Sequence, residues 1–468
     1  MPDSILKKAM QYISTRNSKK TFSFKDVFLN VLASDGGLFI PQNIPFFSIK
    51  ELNELKKLSY NDLAVKIIIK FCSEEFKENE LKKIIEKSYK NFRAKETVIL
   101  KKYGDIHLLE LFHGPTLAFK DIALQVIGNM YEKFLLNEKN KINIVVATSG
   151  DTGAAAINAI KGRDKLNIFV LHPLNKISEI QRKLMTTVKE NNVFNIAVKG
   201  NFDDCQNLVK SMFVDSEFKN KINMSGVNSI NWARIISQIV YYFYAFFKIE
   251  EKDKKINFSV PTGNFGDVYA GYISKRMGLS INKLIVATNQ NDILKRAINT
   301  GEYKIENVIE TISPSMDIQV ASNFERLIFD TNSNNDLDVK EKMRNLKEQK
   351  FFKIDENQLK NIKRDFISES LSEKETQDFI KNFYNKFKIF LDPHTAVGFG
   401  VLNKINCEGI NIVLATAHSC KFPEAINKAV GFKADLPNEL NYIVNAKENY
   451  EILPNNLDKI KSHILRKI

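Results

Sequence analysis

The sequence predicts an α/β protein with two open, mostly parallel sheets, an N-terminal helical cap and a helical insertion. Three observations carry that prediction. Short apolar runs rich in β-branched residues recur with helix-length segments between them: KINIVVATS (141–149), LNIFVLHP (166–173), NVFNIAVKG (192–200), KLIVATN (283–289) and NIVLAT (411–416). That is the rhythm of buried parallel strands joined by helical crossovers. Two glycine-containing stretches, ATSGDTGAAA (147–156) and SVPTGNFGDVYAG (259–271), lie between a strand pattern and a helix pattern. Ligands gather at such strand ends in open sheets. Finally, 468 residues, 44% apolar and 26% charged, are enough for more than one ordinary globular core.

Taken in order, residues 1–95 read as the cap. Phe24, Val27, Phe28 and Val31 recur at helical spacing, Asp35-Gly36-Gly37 stops that helix, and residues 38–40 form an extended piece before Pro41. Residues 50–95 alternate charged and apolar groups with a helical period. Packing and solubility are the expected roles, with the compact polar cluster Ser14-Thr15-Arg16 standing apart. Residues 96–250 read as the first α/β domain. VILKKYG and IHLLELF form a strand pair, and helices are expected over 150–160, 178–188, 202–213 and 229–247. Residues 251–440 read as the second α/β domain. It opens with INFSVPTGNFGD and a helix over 268–277. A charge-rich helical insertion follows at about 330–390, an elaboration with DTNSNNDLD as a surface loop. The late strand 411–416 runs into HSCKFPEA, where a helix begins. Residues 441–468 read as a C-terminal extension used for surface packing.

Composition excludes several function classes. The formal charge of +14 raises a nucleic-acid reading, but the cations are lysines spread along the chain among Asp and Glu, without an arginine-rich arm. The four cysteines, Cys72, Cys205, Cys407 and Cys420, form no CxxC pair, and the six histidines show no HExxH spacing. Neither a disulfide framework nor a metal site is expected. The most apolar stretch, 235–247, is cut off by Lys248 and Glu250, as befits a buried helix and not a membrane span. The N-terminal MPDSILKKAMQYISTRN has no hydrophobic signal core, so a cytoplasmic enzyme is expected.

The chemistry centres on residues 108–121, LLELFHGPTLAFKD. Lys120 follows a turn and an apolar run. An apolar neighbourhood lowers a lysine's pKa and favours the free amine that attacks a carbonyl cofactor. In SGDTG, Ser149 and Thr152 offer hydroxyls at the start of a helix that can hold an anion. It is no dinucleotide fingerprint, having two glycines separated by Asp151-Thr152. TGNFGD is the stronger anion site. Gly263 and Gly266 are expected to permit tight curvature, so that successive N–H groups point inward before Asp267 opens the helix. It lacks the GKS or GKT of a P-loop.

YISTRN, ASDGGLFIP, FHGPTLAFKD, ATSGDTGAAA, HPLNKISEIQRKLMTT, GNFDDCQ, NSINWARIISQIVYY, VPTGNFGD, LDPHTAVG and ATAHSCKFPEA together resemble the threonine synthases. These are pyridoxal-phosphate enzymes of fold type II, the tryptophan-synthase-β-like group, and the likeness is to their longer form. The resemblance spans nearly the whole chain. It implies that Lys120 holds pyridoxal 5'-phosphate as a Schiff base. Gly263, Asn264, Phe265, Gly266 and Asp267 would wrap its phosphate. Asp151 would stand near the ring, and Thr416 would face the pyridine nitrogen. Ser149 and Thr152 would help hold the substrate, O-phospho-L-homoserine. Arg234, with Asn228 or Asn231 beside it, would meet the substrate phosphate. No nucleic acid, membrane or metal is implied, and the assembly would be a monomer or homodimer. Two departures from the family pattern are Asn17, in place of a glycine, and the glycine-free loop HPLNKIS.

Overall fold

The computed structural model describes residues 9–251 and 254–468. The first eight residues of the stretch read as lacking a signal core lie outside the described residues. Two sheets dominate. The larger has six strands in the order Phe366–Ser370, Ile281–Thr288, Ile256–Pro261, Ile410–Ala415, Ile106–Glu110, Ile99–Tyr103. All neighbours are parallel except the last pair. The smaller has five parallel strands in the order Glu451–Pro454, Val193–Lys199, Leu166–Pro173, Ile142–Ala147, Met224–Ser225. Leu166–Pro173 and Ile256–Pro261 are buried along their whole length. Strands covered on both faces by helices read as continuous apolar runs, which is why the sequence shows them plainly.

The sheets cut across the consecutive division expected from the sequence. The strand pair at 99–110, expected in the first domain, joins the larger sheet, where Asn411 to Ala415 pair in register with Ile106 to Glu110. The C-terminal extension does more than pack on the surface. Glu451–Pro454 pairs with the smaller sheet, and the helix Leu457–Leu465 seals a separate core with Phe169, Ile196 and Met212. The insertion likewise contributes an edge strand, Phe366–Ser370, to the larger sheet. The cap is not wholly helical. It begins with a three-stranded antiparallel sheet of Tyr12–Ser14, Asn17–Phe22 and Phe39–Pro41, with the expected helix Phe24–Asn30 between its second and third strands, and continues as the helices Ile49–Leu55, Tyr60–Cys72 and Glu78–Tyr89. The long helix starts at Trp232, three residues later than expected, because Asn231 caps it.

The two departures from the family pattern fit the backbone. Asn17 does not take a positive φ, so no glycine is required there. Asn175 in HPLNKIS sits at φ 59°, a conformation that asparagine tolerates better than most residues. Buried Arg326 fastens the cap to the body. Its guanidinium donates to Phe39 O (2.9 Å) and Ile230 O (2.7 Å) and lies 5.2 Å over the Trp232 ring.

Three neighbouring strands of the larger sheet end at one edge. Ile106–Glu110 leads to the loop before Lys120, Ile256–Pro261 to residues 262–267, and Ile410–Ala415 to Thr416. From the smaller sheet, Ile142–Ala147 leads to residues 148–152. These four exits converge on one cavity.

Candidate active site

The cavity measures about 710 Å³, and its walls include Lys120, Ser149, Asp151, Thr152, Asn228, Arg234, Gly263, Asn264, Phe265, Gly266, Asp267 and Thr416. Of the residues singled out from sequence, only Asn231 is absent from its lining. Asn231 is fully buried elsewhere, where its Oδ1 caps the helix by accepting from Ala233 N and its Nδ2 donates to Phe28 O. The structure does not bring Asn231 to the cavity wall, and both ends of its amide are engaged. Asn228 faces the cavity with its Oδ1 buried and without a partner.

Lys120 opens the helix Lys120–Phe134 and is 10% exposed. Its Nζ lies 3.4 Å from Asp151 Oδ2 and 4.7 Å from the centre of the Phe119 ring. Burial pushes the amine below its ordinary range, and Lys421 and Arg234 push the same way, while Asp151 opposes them. The turn before it is held by Asp121, which accepts from Thr116 N (2.8 Å) and Thr116 Oγ1 (2.6 Å). Asp151 begins the helix Asp151–Ile160. Its Oδ1 accepts from Lys421 Nζ (2.6 Å) and Gln181 Nε2 (2.9 Å). Burial alone would raise this carboxyl, but Lys421 and Lys120 hold it well below the usual range.

The glycine stretch at 262–267 achieves its shape differently from expectation. Neither Gly263 nor Gly266 has a positive φ; the left-handed residue is Phe265, at φ 63°. Gly263 is required by close approach, because a Cβ there would stand 2.5 Å from the carbonyl oxygen of Ser315. Among the described residues, the N–H groups of Gly263, Asn264 and Phe265 donate to no protein acceptor. Buried Asp267 accepts from the hydroxyls of Tyr241 and Tyr242, and burial raises its carboxyl to about 6. Arg234 is buried with its Nε unpartnered, and desolvation lowers its guanidinium to about 10. Thr416 is fixed by its backbone: its carbonyl accepts from Phe119 N (2.8 Å) and its N–H donates to Thr395 Oγ1 (3.3 Å).

An open run of N–H groups, a buried guanidinium whose Nε has no partner among the described residues, and a buried lysine thus surround one cavity. Comparisons with known proteins agree with that chemistry. Family models described as "Threonine synthase N terminus", "Pyridoxal-phosphate dependent enzyme" and "Threonine synthase, C-terminal" match residues 11–89, 100–352 and 395–464. Threonine synthase of Pseudomonas aeruginosa is 41% identical over 97% of this chain and 98% of its own length. That of Saccharomyces cerevisiae is 44% identical over 94% and 95%.

The chain belongs to the threonine synthase family.

Solved structures support the same placement. Pyridoxal-phosphate-bound threonine synthase from Brucella melitensis superposes with a TM-score of 0.93 at 42% identity, covering 98% of this chain and 99% of its own. The yeast threonine synthase gives 0.91 at 41%, covering 98% and 99%. A tomato threonine deaminase, at 13% identity and a TM-score of 0.52, shares the fold alone.

The cavity residues fit the pyridoxal phosphate that this family uses. An amine with a lowered pKa suits a carbonyl partner, and free N–H groups at a helix start suit a phosphate. Several lining or supporting residues escaped the sequence reading. Lys421 has a side chain with 0% exposure. Thr148 Oγ1 accepts from Gly150 N (2.9 Å) and Gly153 N (2.8 Å). His394 lines the cavity, with Nδ1 on Asp392 (2.9 Å) and Nε2 accepting from Ser315 N (3.2 Å). Arg16, from the polar cluster, reaches the wall and makes a two-pronged pair with Glu325 at 2.9 and 2.7 Å. The compact cluster Ser14-Thr15-Arg16 stood apart in the sequence, but nothing there pointed to Glu325 as its partner. HSCKFPEA held a lysine among apolar residues, but its partner lies 270 positions away in sequence.

Proposed function

We propose that the chain converts O-phospho-L-homoserine and water into L-threonine and phosphate, with pyridoxal 5'-phosphate carried on Lys120. The observation that carries this reading is the pairing, in one cavity, of a buried lysine with a buried arginine whose Nε has no hydrogen-bond partner among the described residues. An unpaired buried guanidinium is costly unless an anion completes it. The substrate's γ-phosphate supplies that anion.

When bound, pyridoxal phosphate supplies an aldehyde for the substrate amine and a sink for the electrons released at its α-carbon. Gly263, Asn264, Phe265, Gly266 and Asp267 hold its phosphate through backbone N–H groups and the helix start. Thr416 offers the pyridine nitrogen a neutral hydroxyl. Asp151 stands beside the reacting amine. Ser149 and Thr152 present hydroxyls to the substrate carboxylate. Lys120 would hold the cofactor through its amine and, with that amine free, would take the substrate's α-proton. Arg234 and Asn228 grip the γ-phosphate, which leaves as the β-proton is removed; Lys120 and the phosphate share the removal of that proton and the later protonation at the γ-carbon. Water adds at the β-carbon. Donors fixed where charge develops lower the barrier without reorganising.

The test is product analysis of purified protein with O-phospho-L-homoserine, scoring threonine, phosphate and 2-oxo acid together. Threonine and phosphate in equal amounts support the reading. A 2-oxo acid without threonine would assign the chain to a related phospho-lyase or dehydratase. No turnover would leave a protein that keeps the fold without catalysis. The reading extends to a cytoplasmic monomer or homodimer, in keeping with four unpaired cysteines. Sedimentation would fix the number of subunits.

A further inference from the structure

Lys421 sits in the turn Ser419–Lys421 after the strand Ile410–Ala415, with its side chain at 0% exposure. A buried ammonium is tolerated only with close partners. It has two: Asp151 Oδ1 at 2.6 Å and the carbonyl of Thr116 at 2.8 Å. Asp151 and Thr116 belong to the two loops that bring Asp151 and Lys120 together. Thr116 is bonded to Asp121, the residue after Lys120. Lys421 therefore ties both sides of the Lys120–Asp151 contact to a third strand end.

The geometry is unequal. Asp151 binds Lys421 at 2.6 Å but faces Lys120 at 3.4 Å, beyond a good N–H···O distance. One carboxylate stands between two amines and is committed to the one that does no chemistry. The other charged groups near Lys120 are Arg234 and Asp267. His394 acts on Asp151, and Asp121 faces Lys421.

We infer that Lys421 is a positioning residue that holds the Asp151 carboxylate and the Thr116 carbonyl, so that Asp151 does not capture Lys120 as its ion-pair partner. The Lys120 amine then sheds its proton and is free to attack an aldehyde. Without Lys421, Asp151 would turn its full charge on Lys120 and keep it protonated. This inference rests on the reading of Lys120 as the cofactor-bearing lysine.

The test uses full-length protein, pyridoxal phosphate and borohydride trapping across a pH series. Trapped cofactor is located by peptide mass, and the pH midpoint of trapping on Lys120 is measured. Lys421→Met should raise that midpoint by about one pH unit or more, the scale of an opposite charge within a few ångströms. The acid limb of kcat/KM should move with it. Lys421→Met/Asp151→Asn should bring the midpoint back towards the parent value, because the capturing carboxylate is gone. An unshifted midpoint in Lys421→Met, or a shift that persists in the double variant, would overturn the inference and leave Lys421 with packing alone. If Lys421→Met does not fold, Lys421→Gln takes its place: its midpoint should rise likewise, and an unchanged one overturns the inference. Trapping on a different lysine in the parent protein would defeat the Lys120 reading instead.

Discussion

Two loops of similar sequence, SGDTG and TGNFGD, both join a parallel strand to a helix at the same cavity, yet they treat their N–H groups in opposite ways. In the first, Thr148 Oγ1 accepts from the backbone at Gly150 and Gly153, and Gly150 takes φ 128°, a conformation that side chains rarely adopt. Thr148 thus takes two donors of that turn, and Ser149 and Thr152 line the cavity. In the second, no side chain caps the helix, and the donors stay open. Glycine content does not distinguish the two. What distinguishes them is whether a hydroxyl one residue before the loop folds back to take the donors.

The largest effect is expected at the amine that both loops face. Lys120→Ala should lower kcat by roughly 10³-fold or more, the scale of a lost positioned base, measured by threonine release. Near-normal turnover would move the chemistry to another lysine.

The open loop comes next. Gly263→Ala places a Cβ 2.5 Å from a backbone oxygen, whereas the Cβ of Gly266→Ala meets the Asn323 side chain at 3.1 Å. Overpacking of about 1–3 kcal/mol should raise the pyridoxal phosphate needed for half-saturation roughly 10–100-fold in Gly263→Ala, and less in Gly266→Ala. Equal titrations for both variants and the parent would put the cofactor phosphate elsewhere.

Arg234 separates the cofactor's anion site from the substrate's. Arg234→Lys keeps the charge but loses the planar fork. It should leave cofactor titration unchanged and lower kcat/KM for O-phospho-L-homoserine roughly 10-fold. Loss of cofactor with unaltered inhibition by a phosphonate analogue would reverse that assignment.

The smallest effect belongs to the closed loop. Thr148→Val removes the hydroxyl and keeps the shape. It should cost about 1 kcal/mol of stability, read from denaturant unfolding, with the cofactor titration unmoved. A weakened titration at constant stability would show that this loop also serves the ligand.

Local pattern explains what could be read before the structure. The strands at 142–147, 166–173 and 193–199 are apolar along their length because they are covered on both faces, and Lys120 stood out as a lone charge after an apolar turn. The destination of the strand pair at 99–110 could not be read, because its partner, 410–415, lies 300 residues away and pairing leaves no local trace. Asn228 and Asn231 were not separable for a different reason. Three residues decide whether an amide caps the helix or faces the cavity, and the capping position depends on where the helix starts. Burial of Lys421 was equally hidden, since a lysine is normally solvated and its two acceptors come from other loops.

The strand Ile410–Ala415 lies between the strand that leads to Lys120 and the strand that leads to Gly263. Until it inserts, no strand joins those two in the sheet, although both were made much earlier. During synthesis, at about 5–20 residues per second, the ribosome therefore exposes a long nascent chain that has most of the pocket but neither the strand that spaces it nor Thr416 and Lys421 beyond that strand. A chain truncated before residue 410 should retain the smaller sheet's strands at 142–199 and yet have no pocket to load, so cofactor capture reports that the last strand of the larger sheet has arrived.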